Sequence, residues 1–93
     1  MRKTRHREQA VALRYDQCKN SAPTVIAKGE GLIADKIKDI AAANGIPIHS
    51  DRDLVELLAQ IDINHEIPSE LYTAVAEILS WIYKANNALR RDQ

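Results

Sequence analysis

Ninety-three residues, 45% hydrophobic and 28% charged with three glycines and three prolines, suit one small soluble domain rather than a disordered chain or a multidomain one. No apolar run approaches the roughly 20 residues of a membrane span, and a lone Cys18 excludes a disulfide framework. Lysine plus arginine balance aspartate plus glutamate at 13 each, so net charge names no partner, yet the distribution is uneven. Arg2, Lys3, Arg5 and Arg7 crowd one end, and Lys84, Arg90 and Arg91 sit near the other. The body between Glu8 and Tyr83 holds six basic residues against twelve acidic ones. Such a body repels phosphates, which argues against nucleic acid as its partner. The basic head reads as a solvated terminus, with an anionic surface or RNA as the alternative contact.

The first predicted element is a strand over residues 9–16, where Val11, Leu13 and Tyr15 alternate with Ala12 and Arg14. A polar loop closed by Pro23 leads to a second strand at 24–27, with β-branched Val25 and Ile26. Lys28, Gly29, Glu30 and Gly31 read as a strand-to-helix turn. They lack the phosphate-loop pattern, and Glu30 opposes an anion.

From Leu32 the period becomes helical. Ile33, Ile37, Ile40 and Ala41 share one side, and Asn44-Gly45 suits the C-terminus. Ile46, Pro47, Ile48 and His49 suggest a third, edge strand. Ser50 or Asp51 then caps a helix carrying Leu54, Leu57, Leu58 and Ile61, and Pro68 opens the longest helix, running to about Asn86. The order predicts a small α/β domain: a central mixed sheet of about three strands, with three or four helices around it. The second and third strands would be parallel, joined by a right-handed crossover. The organisation expected is a basic N-terminus over 1–8, the domain over 9–86 and a polar tail over 87–93.

Convergent chemistry is sparse. Cys18 has no histidine nearby, and His6, His49 and His65 show no metal-ligand spacing. Glu66, Glu70 and Glu77 read as solvated helix charges, so no catalytic, metal or cofactor site is expected. The informative feature is the last helix, whose apolar arc spans about 220°. Two readings remain open: a helix sunk between neighbours, or one whose flank of Tyr72, Ala76, Leu79 and Tyr83 lines a groove for another protein's apolar segment.

Four stretches carry a resemblance: AVALRYD from Ala10, APTVIAKG from Ala22, IPI from Ile46 and EIPSELYTAVAEIL from Glu66. Together they resemble the cytoplasmic C-terminal domain of the FlhB family, the export-switch proteins of flagellar and virulence type III secretion. The resemblance implies a cytoplasmic domain working at the inner-membrane export gate. Members normally join it to a membrane domain and cut themselves within an Asn-Pro-Thr-His tetrapeptide just before the first strand. Here that position is Arg5, His6, Arg7 and Glu8, without the asparagine or the proline, so self-cleavage is not expected. The chain looks like a free-standing counterpart of the released piece. The resemblance further implies a hydrophobic patch that captures early rod- and hook-type export substrates, with Ala22 and Pro23 from the loop and Ala76 and Leu79 from the last helix. Implied partners are those substrates, export-gate components and a truncated or full-length FlhB-like membrane protein, with contact to the membrane only through them. A strand added in trans could complete the free edge of the first strand; otherwise a monomer, or a weak homodimer through that exposed edge, is expected.

Overall fold

The computed structural model describes residues 8–16 and 22–90, with side chains as far as residue 85. Strand β1 (Gln9–Arg14) pairs antiparallel with β2 (Thr24–Glu30), and helices α1 (Leu32–Ala43), α2 (Arg52–Leu58) and α3 (Tyr72–Arg90) follow. A 3-10 turn at Ser69–Leu71 leads into α3. The α/β class and the helix count match the expectation, but the sheet does not: among the described residues it has two strands, not three, and no parallel pair.

Two glycines shape the β2–α1 junction differently. Gly31 makes the turn with φ of 63°, a region where a side chain is strained. Gly29 is not a turn residue, since β2 extends to Glu30; a Cβ there would lie 2.2 Å from Cγ2 of Ile33. Its missing side chain lets α1 lie close upon the sheet.

The register explains how both sheet faces are used. Ala10 pairs with Gly29, Val11 with Lys28 and Ala12 with Ala27, but Leu13 pairs with Val25, leaving Ile26 as an extra residue. This bulge reverses the alternation. Val25 thereby shares a face with Val11, Leu13 and Lys28, while Ala27 and Gly29 join Ala10 and Ala12 on the other. The first face meets the core of Val25, Leu54, Leu58, Ile67 and Val75. Lys28 belongs there too: its Nζ donates to the carbonyls of Ala59 and Ile61, both at 2.8 Å, and ties the sheet to the end of α2. The second face, small at Ala10, Ala12, Ala27 and Gly29, lies under α1, whose Ala34 is fully buried.

Local signals end the helices as the residues suggest. Past α1, the amide of Gly45 (φ 69°) donates to Ala42 and that of Ile46 to Ala41, so a glycine in the left-handed region closes the helix. Asp51 caps α2 by accepting the Leu54 amide at 3.0 Å.

The expected strand at 46–49 is absent; Ile46 and Ile48 stay more than half exposed, and His49 rests against the ring of Trp81. The place beside β2 goes instead to residues 64–67. Asn64, at φ of 75°, turns the chain so that its amide donates to the Val25 carbonyl, and the His65 carbonyl accepts the Val25 amide at 3.0 Å. Thr24 and Glu66 form an antiparallel bridge. Pro47 contributes no amide proton to any ladder, which weakens the claim of its segment to that edge.

Candidate functional site

The four residues expected of a patch come from the loop before β2 and from α3, two segments that pack on one core. Pro23 is buried, and its carbonyl accepts the Ile67 amide at 2.9 Å, so the start of β2 is anchored to a core residue. Ala22, just before it, is half-buried against the same cluster.

On α3 the core direction is set by Val75, the helix's buried residue among those whose side chains are described. Leu71, Ile78 and Ile82 lie within 60° of it at 100° per residue and are half-buried, as that geometry requires. Leu79 sits near this seam and packs on the cluster too. Ala76, a further 60° round, is exposed, and so are Tyr72 and Tyr83 above and below it. The helix is therefore not sunk between neighbours. Tyr72, Ala76, Leu79 and Tyr83 form a strip at spacings of four, three and four, with Leu79 packed on the core and the other three in solvent. Ala22 and Leu79 thus flank one core, with Pro23 bound to it and Ala76 on the open side.

The neighbouring Glu70 and Glu77 are exposed, and among the described residues there is no group of three or more His, Cys, Asp or Glu able to hold a metal. The strip offers shape and apolar surface, not acid–base chemistry.

Glu8 is the one member of the tetrapeptide position that falls within the described residues; Arg5, His6 and Arg7 lie outside them, as do Arg2, Lys3 and Cys18. The Glu8 carbonyl accepts the Gly31 amide at 2.9 Å, and its carboxylate takes a hydrogen bond from Lys38. That bond, then the Lys38 charge, holds the Glu8 carboxyl below the ordinary glutamate range. Here Glu8 serves to fasten the start of β1 to α1.

Three features had no clear signal in the residues. The bulge at Ile26 leaves no mark in a short β-branched run, and the lock of 64–67 onto β2 links stretches 40 residues apart. The His49–Trp81 contact, with ring centroids 5.8 Å apart, joins residues that periodicity treats separately. Lys28 sat in view as part of a turn, but its two carbonyl partners depend on where α2 ends.

The sequence profile of the FlhB HrpN YscU SpaS Family matches residues 7–82. The uncharacterized protein YlqH of Bacillus subtilis is 48% identical over 82 residues, covering 88% of each chain. The flagellar biosynthetic protein FlhB of Escherichia coli is 45% identical over 76 residues, 81% of this chain but 20% of FlhB, so the chain spans about a fifth of that relative. The cytoplasmic domain of FlhB from Shewanella putrefaciens superposes with a TM-score of 0.75 at 37% identity, covering 81% of this chain and 63% of that one. The PscU C-terminal domain gives 0.75 at 29% identity, covering 80% and 95%. Among the described residues no helix is long and apolar enough to cross a membrane. The chain belongs to the FlhB/YscU family of flagellar and type III export proteins, and its fold is that of their cytoplasmic domains.

Proposed function

We propose that this domain is a non-enzymatic docking module of the flagellar or type III export apparatus. It captures a short apolar segment of rod- or hook-type export substrates on Ala22, Pro23, Ala76 and Leu79 and so contributes to substrate order, without self-cleavage. The observation that carries this reading is the half-open strip of Tyr72, Ala76, Leu79 and Tyr83 beside a loop held by the same core. A helix that served only the core would not leave two tyrosines in solvent along one line. Family membership supplies the setting, and it supports contact with export-gate components at the cytoplasmic face of the membrane.

Burying one or two aliphatic side chains yields only a few kcal/mol, at about 25 cal/mol per Å2. After the cost of association, the affinity is of micromolar order or weaker. Weak capture suits substrates that must be passed on.

The test is binding of purified rod and hook subunits to the domain carrying Ala76→Asp, a change at an exposed position. Loss of at least tenfold in affinity with an unaltered circular dichroism spectrum is expected. Full affinity in the folded Ala76→Asp protein, repeated with Leu79→Asp, would remove the patch from substrate capture.

A further inference from the structure

Helix α1 rests on the β1–β2 ribbon through Ala34, and the opposite side of the helix is bare. Leu32, Ile33 and Ile40 on that side are each more than half exposed, and Lys36 and Ala43 beside them are exposed as well. Measured from Lys36 at about 100° per residue, Ala43 and Leu32 lie about 20° and 40° to one side, and Ile40 and Ile33 about 40° and 60° to the other. Ala34 and Ala41, which are buried and half-buried, lie about 160° and 140° away, toward the ribbon. Beyond Ile33 the apolar surface continues across a groove of about 520 Å3 lined by Ile26, Ile37 and Ile63. An isolated exposed aliphatic needs no explanation, but a stripe along the whole of a helix does.

The charges around the stripe narrow what covers it. Lys38, on the ribbon side of α1, is taken up by Glu8 and Asp35. Asp35 stands about 100° from Lys36, outside the stripe. Glu30 precedes the helix and is engaged within its own chain, and the Lys28 ammonium is held by two carbonyls. That leaves Lys36 in the middle of the stripe and Asp39 about 60° from it, on the Leu32 flank. Among the described residues neither of these two makes an ion pair.

A helix that offers one cation and one anion at mirror positions complements itself. The midpoint of α1 falls between Ile37 and Lys38, and Lys36 and Asp39 stand equally far from it. A two-fold axis at that midpoint, with the helices antiparallel, sets Lys36 of each copy opposite Asp39 of the other. The same operation makes each flank face its like: Leu32 meets Ala43, and Ile40 enters between Ile33 and Ile37. One register thus gives two symmetric ion pairs and a continuous apolar seam. The formal charge of the chain is zero, so two copies meet without net repulsion.

We propose that the bare side of α1 pairs with α1 of a second copy of this chain, in an antiparallel two-fold dimer. The surface shares no residue with the strip on α3 and stands independently of substrate capture there. It also leaves the edge of β1 unused.

The test is sedimentation equilibrium of the full chain from micromolar to millimolar concentration, with amide shifts followed by NMR. Expected are an average mass that rises from one chain toward two, and shifts over residues 32–43. Lys36→Asp and Asp39→Lys each set like charges opposite one another twice in the dimer, so each should weaken association about tenfold. An equimolar mixture of the two variants should associate as wild type does, because every pair then joins unlike charges. Damage to the fold would not be cured by mixing. The proposal is overturned by a chain that stays monomeric at millimolar concentration, which leaves the face to a different protein. It is equally overturned by a dimer that neither variant weakens, by shifts confined to β1, or by a mixture that associates no better than its parts.

Discussion

The two faces of the β1–β2 ribbon are built from unlike materials. One carries Val11, Leu13 and Val25 and meets α2, α3 and the 64–67 lock in a core where Val25 is wholly shielded and Ile67 is 2% exposed. The other carries Ala10, Ala12, Ala27 and Gly29 and meets α1, which approaches closely but hides little besides Ala34. Leu32 at 85% exposure and Ile33 at 61% show how much of α1's apolar surface lies outside that contact. The difference teaches that stability and binding surface are divided between the faces: large side chains interlock on one, and small ones on the other hold a helix whose own large residues stay free. The strip on α3 follows the same rule at the opposite side of the core, one flank spent on packing and one left open.

The comparison breaks most visibly by truncation. Ile67→Ala should cost about 2–5 kcal/mol, because it removes a fully buried side chain and the core cannot fully collapse around the gap. Ile40→Ala on the bare side of α1, itself 56% exposed, should stay within about 0.5 kcal/mol of wild type. Urea melts of the two variants give the contrast directly, and similar losses would mean that the bare side of α1 is buried as deeply as the 64–67 segment.

The close approach on the second face has its own probe. Gly29→Ala sets a methyl against Ile33 and should destabilise by about 1–3 kcal/mol through overpacking. In combination with Ile33→Ala much of that loss should return, giving a coupling of about 0.5–3 kcal/mol in a double-mutant cycle. Additive losses would show that the β2 backbone, and not the α1 contact, carries the effect.

The smallest effect concerns the surface pair that fastens β1 to α1. Because the folded Glu8 carboxyl titrates below its unfolded value, the pair contributes stability above the unfolded carboxylate pKa and loses it as pH falls through the lowered folded one. Lys38 is raised, chiefly by the hydrogen bond to Glu8, so its contribution holds below the unfolded lysine pKa and fades as pH rises through the folded one. Both groups are exposed and screened, so the gap between wild type and Glu8→Gln should be small at neutral pH and close in acid. A gap that widened on acidification would contradict the sign of the Glu8 shift.

Much of this fold was legible in local order. The alternation at Val11 and Leu13, the helical period from Leu32, the Asp51 cap, the Asn44-Gly45 stop and the long apolar helix after Pro68 are written within a few residues each, since caps and periodicities are short-range physics. The error at 46–49 shows the limit. Ile46 and Ile48 have the pattern of a strand, but a strand exists only where a partner edge is open, and beside Pro23 to Val25 that edge is occupied by 64–67. At the candidate site, the surplus on the α3 wheel exposed Ala76 and Leu79, while Ala22 and Pro23 came only from the family resemblance.

The chain by itself determined which segments are helical, where they begin and end, and which of their faces are apolar, because those follow from side-chain spacing and from capping groups along one stretch of backbone. Tertiary structure alone decided that α3 keeps its tyrosine flank in solvent, that the bulge at Ile26 sends Val25 and Lys28 to the same face, and that residues 64–67 rather than 46–49 take the edge of β2 from Pro23 to Val25. Each of these depends on competition among distant groups for the same buried surface or the same hydrogen-bonding edge, and no short window of residues records who wins.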